Sequence, residues 1–284
     1  MSIRALAIET SGRIGSVALA EDGNTLAEST FPHGLQHAAR IIPAIDALCR
    51  QLHWTSSPRQ ESRASARRGI GPGSRRRDEA VLAEIRASLD NEEPGPRTQA
   101  TAARLLPRAA VADLREIYVS AGPGSFTGLR IGITLAKTLS LATRASLVAV
   151  PSVRVLVENA PSDAANAIIV LDAKRDQIFT ASFTRSANGW TELQPAQLAT
   201  LSDILAKTPR PVHLIGEGIS YHRKFIPEND PQIHLTDESQ WRPHAKTVAT
   251  LGWQMARLGQ FTEAMNLRPI YIRKPEAEEK LDGP

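Results

Sequence analysis

One helix face constrains this chain more than any other feature of it. Within SAGPGSFTGLRIGITLAKTLS, residues 120–140, Gly128, Gly132, Ala136 and Ser140 recur at every fourth position. On a helix these four line up along one nearly smooth flank. Two glycines inside a helix cost roughly 1 kcal/mol each relative to alanine, so another backbone must approach closely to compensate. Arg130 and Lys137 exclude a membrane-spanning version of this ridge. The pattern therefore points to close packing, within the chain or across a subunit interface, rather than to direct ligand contact.

The loop before that helix resembles a phosphate cradle and departs from its templates. Gly122, Gly124 and Gly128 give G-x-G-x-x-x-G, one residue too long for a dinucleotide fingerprint, and Leu129 and Arg130 replace the Lys-Ser/Thr of a P-loop. Ile117–Val119 reads as a short buried strand, and Ser125 or Thr127 as the cap of the following helix. Free N–H groups at such a helix start attract anions.

Elsewhere the apolar pattern gives a layered α/β domain. Ile3–Ile8, Ser16–Ala20 and Thr25–Thr30 form a meander broken by SGR and EDGN. A helix is predicted from Gly34 to Leu52, with Pro43 bending it or marking a late start, followed by the strand at 117–119, the small-faced helix and a strand at Leu147–Val150. A second unit repeats the theme in reduced form: strands at Ala167–Leu171, Ile178–Thr184 and Val212–Ile215, a DAKRDQ turn, and helices at Leu198–Ala206 and Val248–Leu258. The expected organisation is a first domain over residues 1–151, a second over 152–243, and a C-terminal helix and tail over 244–284 that packs back on the first domain.

Charge is concentrated in one place. Residues 55–108 hold eleven Arg against seven acidic residues, whereas the rest holds 23 Lys plus Arg (34 − 11) against 23 acidic residues (30 − 7). That basic, Ser/Gly/Pro-rich stretch is expected to be a disordered insertion with one short helix at Asp78–Leu89. An electrostatic case for nucleic-acid binding rests on that insertion, since the remainder is neutral. No apolar run reaches the roughly 20 residues of a membrane span, and MSIRALAIE is too short for a signal peptide. A cytoplasmic protein with no membrane partner is expected. The lone Cys49 suits a reducing compartment and reads as core filling.

IRALAIETSGRIGSVALAEDG, HGLQHAARIIPAIDAL, SAGPGSFTGLRIG, VAVPSV, LDAKRDQIF and RPIYIRKPEAEEK together resemble the TsaB (YeaZ-like) family of bacterial tRNA threonylcarbamoyladenosine biosynthesis. The resemblance covers nearly all of the residues outside 55–108. It implies two related actin/RNase H-like domains of the actin, sugar kinase and Hsp70 superfamily (ASKHA), with mixed sheets flanked by helices and the second domain reduced. It implies a non-catalytic partner of the threonylcarbamoyltransferase TsaD, in an assembly that includes the ATPase TsaE. A homodimer in the absence of TsaD, and tRNA contact only through the complex, follow from the same resemblance.

On that view the ridge Gly128, Gly132, Ala136 and Ser140, with Phe126, Leu129 and Ile133 beside it, is the expected partner interface, intramolecular core being the alternative for the three apolar residues. The superfamily's phosphate chemistry needs an acid after strand one and another in the matching turn of domain two. Glu9 and Asp172 hold these positions, and Glu9, Thr10, Ser11, Gly122, Gly124, Ser125 and Asp172 form the nucleotide- or anion-facing set. Lys174 and Arg175 stand where glycines would let a backbone approach phosphate. No catalytic residue, no metal ligand and no cofactor held by the chain alone are expected, ATP or ADP entering with the complex. The rival readings are an ATP-dependent transferase or kinase, and a metallopeptidase on His33 and His37, whose H-x-x-x-H spacing has Gly34 where H-E-x-x-H needs glutamate.

Overall fold

The computed structural model describes residues 2–32, 36–54 and 113–272. The insertion with its Asp78–Leu89 helix, and His33, lie outside the described residues.

The chain opens with the meander β1 (Arg4–Glu9), β2 (Ile14–Glu21) and β3 (Asn24–Pro32), then α1 (Gln36–Gln51), β4 (Leu114–Gly122), α2 (Phe126–Thr143) and β5 (Ser146–Pro151). β4 lies parallel to β1, and β5 to β4, so the sheet order is β3-β2-β1-β4-β5. Strand alternation assigns the two faces. Leu6, Ile8, Val17 and Leu19 pack against Ile41, Ile45 and Leu48 of α1 and Ile133, Ala136 and Leu139 of α2. Ala5, Ala7, Ala18 and Ala20 form the other face. Pro43 stands exposed within α1, where its missing N–H and its ring face away from the core.

After α3 (Ser152–Val157), the chain builds a second sheet. Its strands are β6 (Asn166–Asp172), β7 (Ile178–Ser186), β8 (Gly189–Ala199), β9 (Val212–Ile215) and β10 (Ile233–Leu235), with α4 (Leu201–Lys207) before β9 and α5 (Ile219–His222) after it. The order β8-β7-β6-β9-β10, with antiparallel hairpins and parallel β6–β9 and β9–β10 pairs, repeats the first sheet's topology. The repeat is reduced where helices matter, since the 18-residue α2 corresponds to the 4-residue α5.

The expected helix at Leu198–Ala206 is corrected at its start. Leu198 and Ala199 finish β8, and the helix begins at Leu201, where the Thr200 hydroxyl accepts a bond from the Asp203 N–H at 3.2 Å. The strand β8, the short β10 and the helix α3, whose apolar run begins right after Pro151, were not predicted.

The last helix, α6 (Ala245–Arg257), covers the alanine face of the first sheet through Ala245, Val248, Ala249 and Ala256. Small residues on both sides let it come close. An ion pair from Arg257 to the buried Glu116, which also accepts the Tyr118 hydroxyl, pins its end. A Cβ at Gly252 would overlap the Tyr118 ring. Gly252→Ala is therefore expected to lower stability by about 1–3 kcal/mol through overpacking, despite alanine's better helix propensity, as read by urea denaturation.

Candidate functional site

Two hairpin turns face each other across a cleft between the sheets. The β1–β2 turn, residues 10–13, supplies one wall, and the β6–β7 turn with the residues after β9 supplies the other. Ser11, Gly12, Arg13, Leu171 and Glu217 line two adjoining parts of this cleft. One part, of about 370 Å³, extends to Leu156, Trp241 and Pro243. The other, about 220 Å³, reaches Gly124, Ser125, Asp172 and Lys174.

The first acid is sealed. Glu9 is fully buried, and its Oε1 accepts bonds from the Ser11 N–H at 2.6 Å and the Ser11 hydroxyl at 2.7 Å. Burial pushes its carboxyl above the ordinary value, against the lowering effect of Ser11, Ser120 and the Gly12 backbone. Its Oε2 has no hydrogen-bond partner among the described residues, so the carboxyl braces its own turn through Oε1 alone. Glu9 was expected to face a nucleotide or anion; enclosed this way, it does not face the cleft.

The loop over that turn explains the sealing. The Ser125 N–H donates to the Ser11 carbonyl at 2.7 Å, and a Cβ at Gly124 would overlap that same oxygen. A Cβ at Gly128 would overlap the Thr10 carbonyl, and one at Gly132 the Thr10 Oγ1. The expectation that this ridge meets a partner is corrected: Gly128 and Gly132 bring α2 against the end of β1 inside the domain. Ala136 and Ile133 lie in the core, Leu129 is fully buried, and the Ser140 hydroxyl donates to the Ala145 carbonyl at 2.7 Å. Of the seven residues expected at an interface, Phe126 is the one with a largely open side chain, at 37% exposure. Its ring stacks on Tyr271 at 5.1 Å, with the Arg130 guanidinium 4.4 Å from it. Gly122 donates its N–H to the Ser152 hydroxyl at 3.1 Å and abuts the Ile270 carbonyl, so it too serves packing.

The second acid is occupied rather than sealed. Asp172 Oδ2 pairs with the Lys174 ammonium at 2.5 Å, while Oδ1 accepts the Lys174 N–H at 3.1 Å and lies 3.2 Å from His222 Nε2. Partial burial pushes the carboxyl up, but Lys174 and His222 outweigh it and hold Asp172 below the ordinary carboxylate value. Lys174, Arg175 and Asp176 have φ of 63°, 54° and 55°, a left-handed path that favours glycine. The turn thus keeps a glycine-type backbone while Lys174 fills the space above Asp172.

Sequence reasoning grouped Glu9, Thr10, Ser11, Gly124, Ser125 and Asp172; of these Ser11, Gly124, Ser125 and Asp172 line the smaller part of the cleft, and Glu9 and Thr10 are buried. It missed Arg13, Glu217 and Tyr221, which meet across the cleft. Arg13 was visible as the charged residue of the SGR turn; nothing in the pattern marked the other two. Among the described residues no group of three or more His, Cys, Asp or Glu side chains stands ready to hold a metal, and no helix is long and apolar enough to cross a membrane. His37 lies on α1, but its side chain is outside the described ones. Cys49 is buried, and burial followed by Asp46 pushes its thiol up to about 11, the condition of a packing residue.

Two sheets of the same order, with turns opposed across a cleft, define a two-domain protein of the actin, sugar kinase and Hsp70 class. Two solved structures from Pseudomonas aeruginosa share this fold at 19% identity. One, described as an uncharacterized protein with similarity to peptidase YEAZ, gives a TM-score of 0.65 over 95% of this chain and 100% of that one. The other, YeaZ, gives 0.63 over 95% and 99%. The family model described as TsaD, tRNA N6-adenosine threonylcarbamoyltransferase, matches residues 98–281. The tRNA threonylcarbamoyladenosine biosynthesis protein TsaB of Bacillus subtilis is 31% identical over 172 residues, 59% of this chain and 73% of that protein. TsaB of Escherichia coli is 24% identical over 180 residues, 61% and 77% of the two chains. The chain belongs to the TsaB family, relatives of TsaD.

Two outcomes follow from this geometry. Gly128→Ala gains roughly 1 kcal/mol of helix propensity but must displace a backbone carbonyl, so a net loss of about 1–2 kcal/mol is expected in denaturation of the isolated chain. The raised Glu9 value means that its contribution to stability is complete below the ordinary value of 4.5 and is lost as pH rises through the folded value. Glu9→Gln, a mimic of the neutral acid, is expected to flatten that fall in a pH series of melting temperatures. A loss of stability in Glu9→Gln that grows as pH rises would show instead an ionised, partnered Glu9.

Proposed function

We propose that this chain is a non-catalytic accessory subunit of the tRNA threonylcarbamoyladenosine modification machinery, binding and supporting TsaD. The observation that carries the reading is the state of the two acids. Phosphoryl or acyl-adenylate chemistry in a cleft of this class relies on positioned charge around phosphate and metal. Here Glu9 braces its own turn, and Asp172 is neutralised by Lys174. A fold retained without free acids suits a subunit selected for its surface.

On this reading the chain transfers nothing and meets tRNA only through the complex. TsaE is a further member of the assembly, ATP or ADP is held by the partners, and the chain pairs with itself when TsaD is absent. The surface for TsaD includes Phe126 and Tyr271, an exposed stacked pair beside the exposed Ile270. An exposed aromatic pair with an arginine against it has the composition of an interface anchor.

Reconstitution tests this directly. The purified chain alone is expected to leave tRNA unmodified, and TsaD with TsaE and the other pathway components is expected to lose most activity when the chain is omitted. Phe126→Ala is expected to weaken capture of TsaD at least tenfold while leaving the melting temperature of the isolated chain within a few degrees. Modification by the chain alone, or full activity without it, would contradict the proposal.

A further inference from the structure

The mouth of the cleft is bridged by side chains from both domains. Arg13, in the β1–β2 turn, pairs through Nε with Glu217 Oε2 at 3.2 Å, and its Nη2 donates to the Tyr221 hydroxyl. The guanidinium carbon lies 5.3 Å from the Tyr221 ring centre, and the Lys174 ammonium, held on Asp172, lies 5.2 Å from it. Tyr221 therefore carries two cations at its ring, one from each domain, an arrangement favoured by the ring's quadrupole.

Domains within one chain move relative to one another by default. Here α3 is the natural fulcrum, because Val155 belongs to the first domain's core and Val153, Leu156 and Val157 to the second's. Leu156 also lines the 370 Å³ part of the cleft, whose far wall includes Arg13 and Glu217. The cavity thus lies between the fulcrum and the bridge.

We propose that Arg13, through Glu217 and Tyr221, forms a latch that holds the two domains closed over this cavity. A single exposed ion pair contributes little, but Arg13 crosses the cleft with an ion pair, a hydroxyl bond and a ring contact together, while Lys174 packs on Tyr221 from within the second domain. It needs only to bias a balance between closed and open arrangements of two intact domains. The inference does not rest on the accessory role proposed above.

The test measures distance between domains in the full chain. Ala142 and Asn188 are exposed, one in each domain, and Ala142→Cys with Asn188→Cys gives two nitroxide sites, the buried Cys49 staying unlabelled. One narrow distance distribution is expected for the parent. Arg13→Glu and Glu217→Arg, singly, are each expected to broaden it at least twofold and shift its mean, and the combined charge swap to restore the narrow peak. Tyr221→Leu, which keeps an apolar body without the hydroxyl or ring, is expected to broaden it as well. Distributions that match the parent in the single variants, or a charge swap no narrower than the single variants, would overturn the latch.

Discussion

α2 approaches the end of β1 closely enough that no side chain fits between them, and most of what the cleft does follows from it. Gly124, Gly128 and Gly132 leave no side chain between the helix and residues Thr10 and Ser11. With a methyl at any of these positions the helix and its leading loop would have to lift. Because they do not lift, the β1–β2 turn is covered, the Ser125 N–H is spent on the Ser11 carbonyl, and Glu9 is closed off from water. A carboxyl in that setting favours its neutral form. The small residues that make the helix pack are also what removes the first acid from chemistry.

The second domain reaches the same end by another route. Its turn after β6 keeps three successive left-handed residues, a path that favours glycine, but the side chains are Lys174, Arg175 and Asp176. Lys174 folds onto Asp172 and supplies a fixed positive charge there. One domain hides its acid and the other satisfies it. Two further charges at the mouth, Arg13 and Glu217, pair with each other across the cleft.

Much of the fold was legible because hydrophobic period and turn residues agree in this chain. The opening meander, the order βββαβαβ, the β6–β7 hairpin around DAKRDQ and the helix ending near Leu258 all follow from local pattern. Elements whose pattern is weak were not legible: β8 buries only Trp190 and carries Pro195 in mid-strand, β10 has three residues, and VRVLV of α3 has no helical period to show. The four-residue ridge illustrates a deeper limit. Spacing required a close neighbour for Gly128 and Gly132 and could not say which. The neighbour is Thr10 of the same chain, so the requirement was right and its assignment to a partner was not. Arg13 and Tyr221 meet across 208 positions, and no local signal encodes such a pairing.

The central claim is that Glu9 is buried against Ser11 and Asp172 is engaged by Lys174, from which we propose that the isolated chain holds no metal-bound nucleotide. Titration of the isolated chain with manganese and ATP, followed by the paramagnetic relaxation of water protons, tests it most directly. The account predicts no saturable enhancement and no difference between the parent and Asp172→Asn. Saturable binding that Asp172→Asn abolishes would contradict it.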